Sequence, residues 1–289
     1  MIQVNRIYLI FNRLVTKKFL VDTSDDEYKN IFDHLLNKKS FMISVCIATY
    51  NGGKYIKEQL DSILFQLGKD DEVIISDDSS TDDTLSILES YHDERIVILT
   101  NQKFHSPVYN FENALKSAKG DFIFLSDQDD IWEPTKVEVM LDSLKFKSLV
   151  VSDCCVIDQH KKIVCDSLFN SKIPTVGILS NILHNHYIGC CMAFRREVLN
   201  KALPFPPSLA MHDIWIGLCA ATFYSATFIP NRLIKYRRHG NNASPELGKS
   251  DLPLLYRIQY RWILIMALLR RILQKNCTFS KRSQITNNI

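Results

Sequence analysis

From residue 42 onward the chain alternates short apolar runs with stretches whose apolar residues recur at helical spacing. Residues 42–49 (Met-Ile-Ser-Val-Cys-Ile-Ala-Thr) form a nearly continuous apolar run, as in strands buried on both faces. Asn51-Gly52-Gly53 ends it, and Ile56, Leu60, Ile63 and Leu64 then share one side of a predicted helix, with Gly68 placed to close it. Residues 73–75 predict a second strand, followed by a helix through Leu85, Leu88 and Tyr91. Residues 95–99 read as a third strand, 111–118 as a helix ending at Gly120, and 122–125 as a fourth strand. A further helix opens near Pro134. Beyond Leu149 the pattern loosens: strands are expected at 149–152, 189–194, 227–229 and 233–236, with a helix beginning near His212. This half is read as completing the same sheet and forming a pocket for a second substrate.

Strands alternating with helices at this spacing imply right-handed β-α-β units and an α/β fold with a mostly parallel sheet. In such sheets ligands bind beyond the carboxyl ends of the strands. Two acidic turns sit there: Asp77-Asp78-Ser79-Ser80-Thr81-Asp82-Asp83 after the second strand, and Asp127-Gln128-Asp129-Asp130 after the fourth.

Composition narrows the classes. At 289 residues, 46% hydrophobic and with only 9 Gly and 9 Pro, the chain has the makings of an ordinary core, not of a disordered or collagen-like protein. Its 8 Cys include the adjacent pairs Cys154-Cys155 and Cys190-Cys191, which lack Cys-x-x-Cys spacing; all are expected to be reduced thiols in a cytoplasmic protein. The net charge of +3 hides an asymmetry: residues 252–289 hold seven Lys or Arg and no Asp or Glu. Such a tail suits anionic lipid or nucleic acid. The apolar run 262–269 is too short to span a bilayer, which needs about 20 residues. No cleavage-site pattern follows the apolar patch at 7–11, so neither a signal peptide nor a spanning segment is expected.

Three carboxylates within Asp127-Gln-Asp-Asp130 repel one another unless a cation or backbone N–H groups compensate them. A hard divalent cation and helix capping both account for part of that turn. In the first acidic turn Ser80 and Asp83 match a capping box, which leaves Asp77 and Asp78 over. His212-Asp213 opens a helix as either a cap or a catalytic pair. Arg and His in the 236–244 segment could grip a diphosphate or form a solvated basic turn.

Taken in order, Ala48-Thr-Tyr-Asn51, Ser76-Asp-Asp-Ser-Ser-Thr-Asp82, Ser126-Asp-Gln-Asp-Asp-Ile-Trp132, His212-Asp213 and Tyr236-Arg-Arg-His239 make residues 42–250 resemble a family 2 glycosyltransferase of the GT-A fold. That fold is a Rossmann-like, mostly parallel mixed sheet flanked by helices. The Asp-Gln-Asp-Asp-Ile-Trp form is similar to the bacterial rhamnosyltransferase-like branch, which builds surface polysaccharide. Residues 1–41 lie outside the family pattern, and 251–289 read as a basic, partly amphipathic C-terminal helix. The resemblance implies that Thr49, Tyr50 and Asn51 border the donor nucleotide, that Asp77 binds the base with Asp78 nearby, and that Asp127 faces the ribose or donor sugar. It implies Asp129 as ligand of Mg²⁺ or Mn²⁺ and His239 as a further metal or diphosphate contact. Asp213 matches the catalytic base, although His212 stands where many members have Glu; His212, Trp132 and Arg238 are candidates for acceptor or diphosphate contacts. Ala48 replaces the usual Pro.

The implied reaction is inverting, metal-dependent transfer of a sugar, rhamnose among the options, from a nucleotide-diphosphate donor to a glycan or lipid-linked acceptor. No nucleic acid is implied as partner. The expected location is cytoplasmic, with peripheral contact at the inner face of an anionic membrane. Arg257, Arg261, Arg271 and Lys275 fall on one helical face with Leu264 and Leu268, so packing on the body is an equal expectation. The rivals are a nucleotidyltransferase or dinucleotide oxidoreductase, either of which would want a Gly-rich phosphate loop after the first strand, and a non-enzymatic basic-tailed binding protein.

Overall fold

A computed structural model describes residues 41–170, 172–240 and 253–285, with 254 and 275–285 described by their backbone alone. The N-terminal extension and the segment 241–252 lie outside the described residues. The compact unit that contains all of the described residues begins at Phe41.

In chain order the elements are β1 (Ile43–Thr49), α1 (Ile56–Leu64), β2 (Glu72–Asp77), α2 (Thr84–Glu89), β3 (Ile96–Leu99), α3 (Pro107–Ser117), β4 (Phe122–Ser126) and β5 (Ile131–Trp132). Then come α4 (Lys136–Leu144), β6 (Leu149–Ile157), β7 (Ile163–Cys165), α5 (Ile178–Leu183), β8 (Met192–Arg195), α6 (Leu199–Ala202), α7 (His212–Phe223), β9 (Ala226–Arg237) and α8 (Leu254–Ile285). One mixed sheet holds all the strands in the order β3-β2-β1-β4-β8-β6-β9-β5, with β7 paired to β6. The strands β3, β2, β1 and β4 run parallel, as the β-α-β reading predicts. Strand β8 enters antiparallel between β4 and β6, and β9 runs parallel to β6.

Strand β1 sits inside this sheet with almost every residue buried, which is why its sequence is a run of apolar residues instead of an alternation. Its register sets the site: Thr49 lies opposite Asp77 of β2, and Ile47 opposite Ser126 of β4. The carboxyl ends of β1, β2 and β4 therefore finish in one row, and both acidic turns leave from that edge.

The structure revises several local expectations. Helix α1 ends at Leu64, short of Gly68, whose N–H is taken by the Asp71 carboxylate at 2.7 Å in the turn before β2. The two strands expected at 227–229 and 233–236 are one strand, β9, which tolerates register shifts against β6. Ser80 and Asp83 form no capping box: no side chain caps α2 at its N-cap Asp83. Asp82, one residue earlier, accepts from Thr84 N at 3.1 Å and from Gly53 N at 3.0 Å. The capping competes with a loop-to-loop tie, and the carboxylate that reaches both N–H groups wins.

Helix α8 packs on α5 and α7, burying Leu264, Ala267 and Leu268. The arginines that share this face turn inward: Arg261 donates to the carbonyls of Ile182 (3.0 Å) and Leu183 (2.6 Å), and Arg271 to that of Pro204 at 2.5 Å. Carbonyls at the end of α5 lack helical partners and attract cations. The face expected to meet a membrane through its arginines is thus the face that holds the helix to the body. Among the described residues no helix is long and apolar enough to cross a membrane.

Candidate active site

A cavity of about 510 Å³ opens at the carboxyl edge of the sheet. Of the residues singled out by sequence, Thr49, Tyr50, Asp78, Asp127, Asp129, His212 and Asp213 line it. Five do not: Asn51, Asp77, Trp132, Arg238 and His239.

The floor is built by ties between loops. Gln128 Oε1 accepts from Thr49 Oγ1 at 2.6 Å and from Tyr50 N at 2.9 Å, while its Nε2 donates to Tyr50 O at 3.1 Å. This side chain fastens the end of β1 to the turn after β4. Gly52 is needed beneath it, because a Cβ there would stand 2.5 Å from Gln128 Oε1. Asn51 serves the loops as well: its Oδ1 accepts from Thr81 N (2.8 Å), its N–H donates to Ser80 Oγ (2.9 Å), and its φ of 49° suits Asn.

Asp77 and Asp78 divide their work. Asp77 is fully buried, and its two oxygens accept from the N–H and hydroxyl of Ser80. Asp77 therefore holds the turn, and of the two acids Asp78 is the one that reaches the cavity wall. There it accepts from Phe104 N (2.7 Å) and Ser106 N (3.2 Å), which brings in the 104–110 segment that sequence reading missed. A strand end followed by Asp-Asp does not reveal which acid the pleat turns inward.

The second acidic turn is compensated from β9. Asp129 Oδ2 lies 2.8 Å from His239 Nε2, and that imidazole stacks on Tyr55 with centroids 5.0 Å apart. Arg237, also missed, is 1% exposed and spans the cluster: its N–H donates to Asp130 Oδ1 (2.9 Å), its Nε to Asp129 O (2.7 Å) and its Nη2 to Glu58 Oε2 (2.8 Å). An arginine can be buried at this depth only when its fork is filled, and the Glu58 carboxylate of α1 and the Asp129 carbonyl of the turn fill it. Its neighbour Arg238 points elsewhere, with its guanidinium over the Tyr236 ring at 5.9 Å. Strand alternation supplied the signal: Arg237 and His239 share a parity, and Arg238 does not.

Trp132 is 3% exposed and belongs to the core, packed against Phe124 (5.7 Å) and beneath the Lys136 ammonium at 4.5 Å. Lys136 is itself buried and donates to Cys190 O at 2.7 Å. Trp132 is not among the residues that line the cavity.

At the opposite wall, α7 begins with His212 and Asp213. The His212 ring stacks on Phe111 with centroids 4.2 Å apart, and burial pushes its pKa down to about 4. Gly189 has to be glycine here, since a Cβ would stand 2.9 Å from His212 Nε2. Burial pushes Asp213 up to about 6, against the N–H of Ile214 and the Asn185 amide, which favour the carboxylate. Burial, together with the Asp129 and Asp213 charges, pushes Asp127 up to about 7. Asp130, wholly buried, is raised by that burial and by the Asp129 and Asp127 charges, and its Oδ2 has no hydrogen-bond partner.

Ligand atoms of Asp127, Asp130 and Cys190 lie within 4.8 Å of one another. A hydrogen bond with Cys191, then burial and the nearby carboxylates, keep Cys190 a thiol, which leaves an oxygen donor set. Raised carboxylates and an unpartnered carboxylate oxygen fit a hard divalent cation. The seven described cysteines that carry free thiols include the two adjacent pairs.

Comparison with known proteins agrees with this arrangement. The pattern described as Glycosyl transferase family 2 matches residues 44–203. The dTDP-rhamnosyl transferase RfbG of Shigella flexneri is 30% identical over 214 residues, 68% of this chain and 72% of RfbG. The UDP-Glc:alpha-D-GlcNAc-diphosphoundecaprenol beta-1,3-glucosyltransferase WfaP of Escherichia coli is 36% identical over 111 residues, 38% of this chain and 44% of WfaP. S. aureus TarS 1-349 in complex with UDP-GlcNAc superposes with a TM-score of 0.58 at 21% identity, covering 80% of this chain and 72% of that one, and shares its GT-A fold. The chain spans about two thirds of the length of curated relatives that it matches. With its sheet order, its carboxylate-lined cavity and the match over 44–203, this chain belongs to glycosyl transferase family 2.

Proposed function

We propose that this chain transfers a sugar from a nucleotide-diphosphate donor to a hydroxyl of a glycan or lipid-linked acceptor, with inversion, in bacterial surface polysaccharide synthesis. The observation that carries the reading is a single cavity lined by Asp78, by Asp127 and Asp129, and by Asp213. A nucleotide sugar needs three services there: an acceptor for base or ribose protons, charge compensation at the diphosphate, and a base at the anomeric end. The likeness to RfbG favours rhamnose as the sugar. The likeness to WfaP favours an acceptor on a lipid diphosphate at the membrane's inner face.

Asp213 is the base. An acceptor hydroxyl is far too weak an acid to ionise alone, and a carboxylate with a pKa near 6 takes its proton as the new bond forms. His212, kept neutral by burial, fixes the start of α7 against Phe111 and so holds the base in place. Attack from the face opposite the diphosphate inverts the anomeric centre, and no covalent enzyme intermediate is required. Asp129, with Asp127 and Asp130 in the same turn and His239 beside it, would hold Mg²⁺ or Mn²⁺, which would supply charge stabilisation at the departing diphosphate. Tyr50, 55% exposed at the mouth, offers a ring for the base to lie against. Catalysis is assigned to residues 42–250, with 1–41 dispensable.

A panel of nucleotide sugars with Mg²⁺ or Mn²⁺, scored by release of nucleoside diphosphate, tests the reading. Release with at least one donor is expected, dTDP-rhamnose first, and Asp213→Asn should abolish it. Undiminished release by Asp213→Asn would overturn the assignment of the base.

A further inference from the structure

Helix α8 is apolar on two sides. One side is buried against α5 and α7. The other carries Leu255, Ile258, Trp262, Leu269 and Leu273, with Met266 half-buried among them. At about 100° per residue these six positions fall within an arc of about 80°. They form a straight stripe, about 27 Å long at the helical rise. It is left open to solvent: Leu255 is 82% exposed, and Trp262 and Leu273 are each 62% exposed. Monomeric soluble proteins rarely leave an aligned row of large apolar side chains uncovered.

We infer that this stripe is the surface by which the protein lies on an anionic bilayer, with Trp262 at the level of the lipid headgroups. Charge selects this occupant over a second copy of the chain. Residues 252–289 hold seven Lys or Arg and no acidic residue. Although Arg257, Arg261 and Arg271 fall on the packed side, the net positive helix with Arg270 at the stripe's border would set like charges together on pairing, whereas an anionic leaflet complements it. Exposed Arg270 borders the stripe, and the inward arginines Arg261 and Arg271 fix the helix to the body so that the stripe faces out. An indole with its ring in apolar surroundings and its N–H toward water suits the interface of a membrane. The inference deepens the inner-face reading given above. Its test reads binding alone and so can fail independently of sugar transfer.

The test is sedimentation of the full chain with vesicles of phosphatidylcholine, and of phosphatidylcholine mixed with phosphatidylglycerol. Co-sedimentation with the anionic vesicles, weakened by salt, is expected. The double variant Trp262→Glu, Leu269→Glu should lower the partition at least about tenfold while its melting temperature and circular dichroism stay unchanged, since both positions are exposed. Trp132 and Trp215 are 3% and 0% exposed, so a blue shift of emission on adding anionic vesicles reports Trp262. Trp262→Phe should bind with that shift gone. Equal partition of wild type and double variant, or no binding by wild type, would overturn the inference. So would a wild-type dimer that the double variant turns into a monomer, which would assign the stripe to a second copy.

Discussion

Asp129 Oδ2 and His239 Nε2 stand 2.8 Å apart although 110 positions separate them in the chain. The contact joins the turn after β4 to the end of β9, and it places an imidazole against the carboxylate assigned to the cation. Asp129→Asn should reduce transfer at least about a thousandfold with the fold retained, whereas His239→Ala should cost about tenfold to a hundredfold, as loss of a supporting partner does. Initial rates against cation concentration check this: His239→Ala should need more Mn²⁺ for half-maximal rate.

Asp213 sets the acid limb of the rate. With its pKa near 6 in the folded chain, and with saturating Mn²⁺ keeping Asp127 ionised, kcat/KM should fall about tenfold per pH unit well below pH 6. Its stability effect has the opposite sense. The folded pKa exceeds the ordinary value of 3.8, so the folded chain binds the proton more tightly, and Asp213 costs stability increasingly as pH rises from about 4 to 6. Asp213→Asn should therefore stabilise the chain at pH 8 by about 1 kcal/mol while abolishing transfer, a pairing that thermal melts at pH 5 and pH 8 detect.

Gly189→Ala puts a methyl group 2.9 Å from His212 Nε2. The ring has Phe111 behind it, so it must carry the first turn of α7 with it, and Asp213 moves too. A loss of about tenfold in kcat is expected, with a smaller change in KM for the donor, measured by steady-state kinetics.

Arg237→Met should unfold the site from below. The substitution leaves the Asp129 carbonyl and Glu58 Oε2 without the guanidinium, while Asp130 Oδ1 keeps the backbone N–H of residue 237; a cost of about 1–3 kcal/mol is expected in urea titrations. Arg237→Lys should recover little, because an ammonium cannot reproduce the planar fork.

Trp132→Ala separates a core role from a substrate role. Burial against Phe124 and Lys136 predicts a loss of about 3–5 kcal/mol of stability. At a temperature where the variant stays folded, its KM for acceptor should be unchanged.

The parallel half of the sheet was legible because strands buried on both faces leave an unbroken apolar signature, as in β1, and because Gly and Asp mark their ends. The residues lining the cavity were legible where a motif sits directly at a strand end: Thr49, Asp127, Asp129. Reading failed where two adjacent residues of the same kind compete, as with Asp77 beside Asp78 and Arg237 beside Arg238. Composition cannot say which of them the pleat turns inward. Trp132 and the arginines of α8 show a second limit: aromatic and basic residues look like ligand contacts, yet core packing and helix-end carbonyls claim them first. The 104–110 wall of the cavity joins a loop to the first turn of α3, and hydrogen bonds to Asp78 from Phe104 and Ser106 and from Asn110 to the Thr49 carbonyl reveal its place.

Gln128 makes one rigid piece of the two ends of the donor cleft. It grips Tyr50 through both backbone groups while sitting between Asp127 and Asp129, the acids proposed for the diphosphate end. Whatever settles against Tyr50 is therefore felt, through a single amide, at the leaving-group end. A donor trimmed of its heterocycle should consequently lose turnover and not merely affinity, so that the inert part of the substrate helps to drive the bond-breaking step.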